Sequence, residues 1–86
     1  YYWLGEAYYV NKDFAGAQQT FRQMVTLFPQ SAKVADAKLK LGYIEYENGQ
    51  YAQAKTLLNE VVQNYADSSA AKMAEKRLER MRLESR

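Results

Sequence analysis

The side chains able to do chemistry in this 86-residue sequence are carboxylates, lysines, arginines and tyrosines, because it contains neither histidine nor cysteine. The commonest metal ligand and the thiolate nucleophile are therefore both missing. Glu45 and Glu47 stand two positions apart, and on a helix such a pair points to different faces rather than to one reacting bond. We predict a protein that is not an enzyme and that binds no metal or cofactor.

Basic residues gather toward the carboxyl end, where Lys72, Lys76, Arg77 and Arg80 follow one another closely. They could bind an acidic partner segment. Their position favours a solvated helix face instead, since positive charge is stabilised near a helix C-terminus. The formal net charge is only +2 and glutamates are interleaved with the basic residues, so nucleic-acid binding is not predicted.

Composition indicates one small helical domain. Hydrophobic residues make up 48% of the chain, charged residues 26%, and there is one proline. No apolar run approaches the roughly 20 residues of a membrane-spanning helix, and no signal-peptide pattern is present. Since proteins of several compartments lack cysteine, composition does not choose a compartment.

A shift of 37 positions, the separation of Leu4 from Leu41, superposes the chain on itself. The matched residues include Leu4-Gly5 with Leu41-Gly42, Tyr9 with Tyr46, Asn11 with Asn48, Ala17 with Ala54, Phe21 with Leu58, and Ser31 with Ser68. A second shift carries Leu41 to Leu78, so a third copy begins near the carboxyl end. Repetition at this period is typical of solenoids.

Each copy is predicted to be a helix–turn–helix unit. Turns are expected at Asn11-Lys12-Asp13 and at Asn48-Gly49, where Gly49 can adopt positive φ, and Ser31 is expected to cap the third helix. Helices are predicted near 1–11, 14–28, 31–47, 51–65 and 68–84. The expected fold is an all-α solenoid of antiparallel helix pairs, in which residues 1–86 form one domain with repeats at about 1–30 and 31–67 and a C-terminal helix at about 68–86.

Gly5 and Gly42 fall inside predicted helices at matching positions of the two repeats. Glycine costs roughly 1 kcal/mol relative to alanine there, so we expect Gly5 and Gly42 to allow a facing helix to approach closely. Ala17 and Ala54 are predicted to supply the matching small surface.

Leu4-Gly5, Tyr8, Ala17, Phe21 and Pro29 resemble the spaced pattern of the tetratricopeptide repeat (TPR), and Leu41-Gly42, Ala54 and Leu58 resemble it again. Glu45 departs from it where tyrosine is preferred, Ala66 where proline is, and the period exceeds the usual 34. The resemblance implies a protein-interaction domain.

A narrower resemblance covers essentially the whole chain. The runs YWLGEAYYVNKDFAGAQQTF, AKLKLGYIEYENGQYAQAKTLLNEVVQNY and SSAAKMAEKRLERM are similar to the C-terminal domain of the Tol-Pal-associated YbgF family of cell division coordinators (CpoB). That likeness implies a periplasmic parent with a signal peptide and a trimeric coiled coil. It also implies binding to TolA and coordination of outer-membrane constriction with the septal peptidoglycan synthesis machinery. TPR proteins of the outer-membrane β-barrel assembly lipoprotein type carry similar runs and stay an alternative.

TPR domains generally hold a partner segment against the first helix of each repeat. Carried over by spacing from the Leu-Gly pair, this face consists of Tyr2, Glu6, Tyr9, Asp36, Leu39, Tyr43, Tyr46, Met73, Lys76 and Arg80. Tyrosine suits such a surface because it offers a large rigid body with a polar tip. The alternative is that these tyrosines pack against neighbouring helices.

Five aromatic residues stand in the first nine positions. We expect them to belong to a helix interrupted at residue 1 in a fragment of a longer parent. A second mode of binding follows from this exposed surface. Leu78 and Met81 of the last helix could dock on the first helix of another copy, giving a head-to-tail homo-oligomer.

Overall fold

The computed structural model describes residues 1–86, and all of its regular elements are α-helices. They are α1 (Tyr2–Val10), α2 (Phe14–Leu27), α3 (Val34–Glu47), α4 (Tyr51–Asn64) and α5 (Ser69–Leu83). The predicted all-α class and the number of helices are confirmed. None of the five helices has the length and apolar composition needed to span a membrane.

The helices lie in two layers. Each helix packs on the one that follows it, and α3 and α5 also contact each other directly. The domain measures 33 × 28 × 17 Å, and its smallest extent fits two helices of about 10 Å diameter with interdigitated side chains. Helices α1, α3 and α5 share one side of the molecule, which we call the α1–α3–α5 face.

One helix boundary was predicted wrongly. Ser31 does not cap α3, which begins at Val34 after an N-cap residue, Lys33, that has no side-chain capping bond. The Ser31 hydroxyl instead accepts a hydrogen bond from the Lys33 amide at 3.1 Å, and this local bond holds residues 31–33 in a turn. At the matching junction, the Ser68 hydroxyl accepts from the Ala71 amide and does cap α5.

The turns that end α1 and α3 share one hydrogen-bonding pattern. After α3, the amides of Gly49 and Gln50 donate to the carbonyls of Tyr46 and Glu45, which is a Schellman motif with Gly49 at φ +76°. After α1, the same two bonds form around Lys12, a residue with a Cβ held at φ +62°.

Because a left-handed backbone costs a residue with a Cβ roughly 1–2 kcal/mol, Lys12→Gly is expected to raise the free energy of unfolding by about 0.5–1 kcal/mol. Gly49→Ala is the matched reverse change, since its Cβ would have no atom within 4 Å and would add only backbone strain. It is expected to lower stability by about 1 kcal/mol. Urea unfolding followed by circular dichroism measures both, and a loss of stability in Lys12→Gly would contradict the assignment.

The core consists of two clusters joined through α3. The first packs Phe21 and Met24 of α2 against Leu41 and Ile44 of α3. The second joins three helices, and its larger members are Leu39, Tyr43, Leu58, Val61 and Met81. Met81 is fully buried, so its predicted part in a head-to-tail contact is wrong, whereas Leu78 packs on the same cluster and stays partly exposed.

Gly5 and Gly42 both permit close approach of the following helix, but the side chains that approach them are not the predicted alanines. A Cβ at Gly5 would lie 2.6 Å from the nearest ring carbon of Phe21, and one at Gly42 would lie 2.8 Å from Leu58 Cδ2. Ala17 and Ala54 are fully buried. The side-chain atoms nearest to the two Cβ positions belong instead to Phe21 and Leu58, each four residues after one of these alanines. Each glycine is therefore a socket for one large side chain of the following helix.

Candidate protein-binding site

Cationic side chains alternate with tyrosine rings across the α1–α3–α5 face. Lys40 Nζ lies 4.8 Å from the ring centre of Tyr9 and 5.7 Å from that of Tyr43. The guanidinium carbon of Arg77 lies 4.2 Å from the Tyr43 ring centre and 5.1 Å from that of Tyr46. Such contacts contribute about 0.5–1 kcal/mol each where they are exposed, and they hold the rings in a fixed arrangement before any partner arrives.

The carboxyl end of α5 fixes the last tyrosine of this row. The Tyr46 hydroxyl donates to Glu84 Oε1 at 2.5 Å, and Arg80 Nε donates to the other carboxylate oxygen at 3.3 Å. Arg86 lies beside Tyr51 of α4, with its guanidinium carbon 4.9 Å from the ring centre. The turn after α5 is thereby bonded to the side chains of α3 and α4.

A cleft of about 300 Å³ opens between α3 and α5. It is lined by Tyr43, Met73, Lys76, Arg77 and Arg80, and we call it the Tyr43 cleft. Tyr43 forms its floor, since only 8% of this residue is exposed, whereas Met73 at the rim is 45% exposed. Three of the five lining residues are cationic and none is acidic, so the cleft combines apolar surface with positive charge.

The α1 end of the face carries charges of both signs, because Lys33 and Lys40 lie there with Glu6 and Asp36. Glu6 Oε1 lies 3.5 Å from Lys40 Nζ, but it is buried and makes no hydrogen bond. The ring centre of Tyr2 lies 5.7 Å from that of Phe21, so Tyr2 packs against the first core cluster. Burial, followed by the charges of Glu6 and Asp36, raises the pKa of Tyr2 to about 12.

The predicted site residues therefore divide between two regions. Tyr2, Glu6 and Asp36 belong to the α1 end, while Tyr43, Met73, Lys76 and Arg80 meet at the Tyr43 cleft. Tyr9 and Tyr46 lie in the row of cations and rings that runs toward the cleft. One assignment is wrong: Leu39 is only 2% exposed, because it lies in the second core cluster with residues of α4 and α5.

Lys40 and Arg77 were missed as members of this surface, although Arg77 was noted among the basic residues. The repeat carries the signal that could have identified them. The shift that superposes Tyr9 on Tyr46 also superposes Lys40 on Arg77, and the structure shows a cation–tyrosine contact at both places. The face is thus built from one recurring pair of side chains.

Comparison with protein families agrees with the repeated helix pairs. A family model described as tetratricopeptide repeat matches residues 11–78, which is well over half of the chain. The chain belongs to the TPR family. No curated protein matches the TPR domain closely enough to count as a relative. TPR repeats are generally non-catalytic, and their presence indicates a module that binds other proteins.

Alkaline pH is expected to destabilise the TPR domain, because folding raises the pKa of several tyrosines. Burial is the main cause for Tyr2, Tyr9 and Tyr43, and the hydrogen bond to Glu84 is the main cause for Tyr46. Above the ordinary tyrosine pKa of 10.0 the unfolded chain loses protons that the folded domain keeps, so stability falls as pH rises from about 10 toward 12.

Urea midpoints measured at intervals across this range, alongside the absorbance of tyrosinate, test the expectation. Tyr2→Phe removes the phenol whose pKa is raised to about 12 and should make the decline shallower. A midpoint independent of pH up to about 11.5 would contradict the proposed linkage.

Proposed function

We propose that this TPR domain binds a segment of the envelope protein TolA on its α1–α3–α5 face, in the periplasm. The observation that carries the proposal is the repeated contact of Lys40 with Tyr9 and of Arg77 with Tyr46. Tyrosine and arginine are the side chains that most often dominate binding energy at protein interfaces. Here they are ordered in advance, so less conformational entropy is lost when a partner binds.

The choice of partner rests on sequence likeness. The runs at 2–21, 37–65 and 68–81 are similar to the C-terminal domain of the Tol-Pal-associated YbgF (CpoB) family. On this proposal the domain belongs to a parent that is trimeric through a coiled coil. Its binding to TolA helps to coordinate outer-membrane constriction with septal peptidoglycan synthesis during cell division.

An NMR titration of the isotope-labelled domain with the periplasmic region of TolA tests the proposal. Saturable shifts are expected at Tyr9, Tyr43 and Tyr46, with affinity reduced roughly tenfold in Tyr46→Ala. Tyr1→Ala is the matched control, because Tyr1 is an exposed tyrosine that packs on Phe28. Unchanged spectra at high TolA concentration, or equal loss in both variants, would refute the assignment of partner or surface.

A second candidate function is self-association, and the exposed large apolar side chains on α1 and around the end of α2 favour it. These side chains, here called the patch, are Trp3, Leu4, Val10, Leu27 and Phe28. The repeat superposes Leu4 on Leu41, which α2 covers in the first core cluster, whereas Leu4 is 53% exposed. An isologous contact of two copies through this patch would cover it.

Sedimentation velocity over a wide range of concentrations tests self-association. Leu4→Glu is expected to abolish a dimer formed through the patch. Leu83→Glu is the matched control, since Leu83 is 70% exposed at the far end of α5 and should leave the dimer intact. A strict monomer at all concentrations would exclude this candidate.

A further inference from the structure

We infer that the segment bound in the Tyr43 cleft is acidic and places one apolar side chain between its carboxylates. This inference rests on the proposed function, because it assigns the chemistry of the partner at the same surface. Charge, shape and the contrast with the other end of the face each support it.

The charge of the cleft is positive and largely uncompensated. Lys76 forms no ion pair within the chain, and neither does Arg77. Arg77 lies over the Tyr43 ring, and a stacked guanidinium keeps its N–H donors in its own plane for a carboxylate. Arg80 shares the carboxylate of Glu84 at 3.3 Å, yet its side chain is largely exposed. Carboxylates are the groups these three cations would bind.

The floor and rim of the cleft are apolar. The Tyr43 ring lies at the bottom, and the exposed Met73 stands beside it. Methionine adapts its shape to what it contacts, and the cleft volume of about 300 Å³ lies at the lower end of the range for ligand sites. This space suits one apolar side chain with its adjoining backbone rather than a large ligand.

The opposite end of the face gives the segment a direction. Glu6 and Asp36 lie there together with two lysines: Lys40 pairs with Glu6, and Lys33 Nζ lies 5.0 Å from the ring centre of Tyr2. The charges at the α1 end therefore balance, and an acidic segment is attracted to the positively charged α5 end. This difference fixes the end of the face at which the carboxylates of the partner lie.

Three capped peptides test the inference by NMR titration: Glu-Glu-Leu-Glu-Glu, its glutamine counterpart Gln-Gln-Leu-Gln-Gln, and Glu-Glu-Gly-Glu-Glu. The first is expected to shift the signals of Tyr43, Met73, Lys76 and Arg77. The second and third are expected to bind at least about fivefold more weakly. Lys76→Glu should weaken binding of the first peptide by a similar factor. Lys55→Glu makes the same charge change at an exposed position of α4 and should leave that binding unchanged.

The outcomes separate this inference from the proposed function. Equal affinity for the glutamic acid and glutamine peptides, or no shifts in the cleft up to about 5 mM peptide, would overturn the inference. If the TolA region shifts the NMR signals of Tyr9 and Tyr46 but Lys76→Glu leaves its affinity unchanged, the partner binds and the inference that the bound segment is acidic fails. If the acidic peptide binds and TolA does not, the chemistry holds and the proposed partner is wrong.

Discussion

Shortening Leu58 to alanine is expected to lower the free energy of unfolding by about 2–5 kcal/mol. Leu58 is fully buried, and its Cδ2 occupies the space above Gly42. The substitution therefore removes apolar contacts and also leaves a cavity between α3 and α4. The total free energy of unfolding of a domain of this size is only about 5–15 kcal/mol, so the substitution is expected to remove a large part of it.

Gly42→Ala supplies the matched second variant. Alone, the new Cβ would meet Leu58 at 2.8 Å, and the cost of overpacking offsets the gain in helix propensity. In the double variant, the same Cβ fills part of the cavity left by Leu58→Ala. Urea unfolding of all four proteins should show that the double variant is more stable than Leu58→Ala.

Strict additivity of the two changes would contradict the socket described for Gly42. Leu27→Ala serves as a control for apolar truncation outside the core, because Leu27 is exposed. A change within about 0.5 kcal/mol is expected there.

Replacing Arg77 with alanine is expected to weaken partner binding by about tenfold to a hundredfold, with a loss of stability below about 1 kcal/mol. One substitution removes a charge from the Tyr43 cleft and the group that orders Tyr43 and Tyr46. Calorimetric titration with the TolA region or the acidic peptide measures the affinity, and thermal unfolding measures the stability.

Arg77→Lys separates the two contributions of this side chain. It keeps the charge but loses the planar group that stacks on the rings, so an intermediate affinity is expected. Arg82→Ala is the control on the same helix, because Arg82 bonds to Glu79 on an exposed surface outside the cleft. Equal weakening by Arg77→Ala and Arg82→Ala would indicate that only overall charge matters.

The helices were predictable because the apolar residues repeat at helical spacing and the turn residues interrupt them. Gly49 illustrates this, since its position alone predicted the positive φ that the structure shows. The start of α3 was not predictable, because a serine that precedes a helix can bond either to the helix or to its own turn. Ser31 bonds to the amide of Lys33, and the helix begins later.

The binding surface was predictable only in part, since spacing along a helix does not show what its neighbours cover. Leu39 occupies a position that spacing placed on the outer face, but it is buried in the core cluster that α3 shares with α4 and α5. Arg77 lies beside Lys76, and its importance depends on the ring of Tyr43 on another helix. Contacts between helices determine the roles of both Leu39 and Arg77, and such contacts cannot be predicted from a single sequence.

Helix α3 belongs to both core clusters, with Leu41 and Ile44 in one and Leu39 and Tyr43 in the other. Repeat arrays often melt from their ends, because each unit contacts only its neighbours. In this chain α3 supplies residues to both clusters, so the two repeats are coupled through one shared element. The domain is therefore expected to unfold in a single cooperative step and to present its binding surface either whole or not at all.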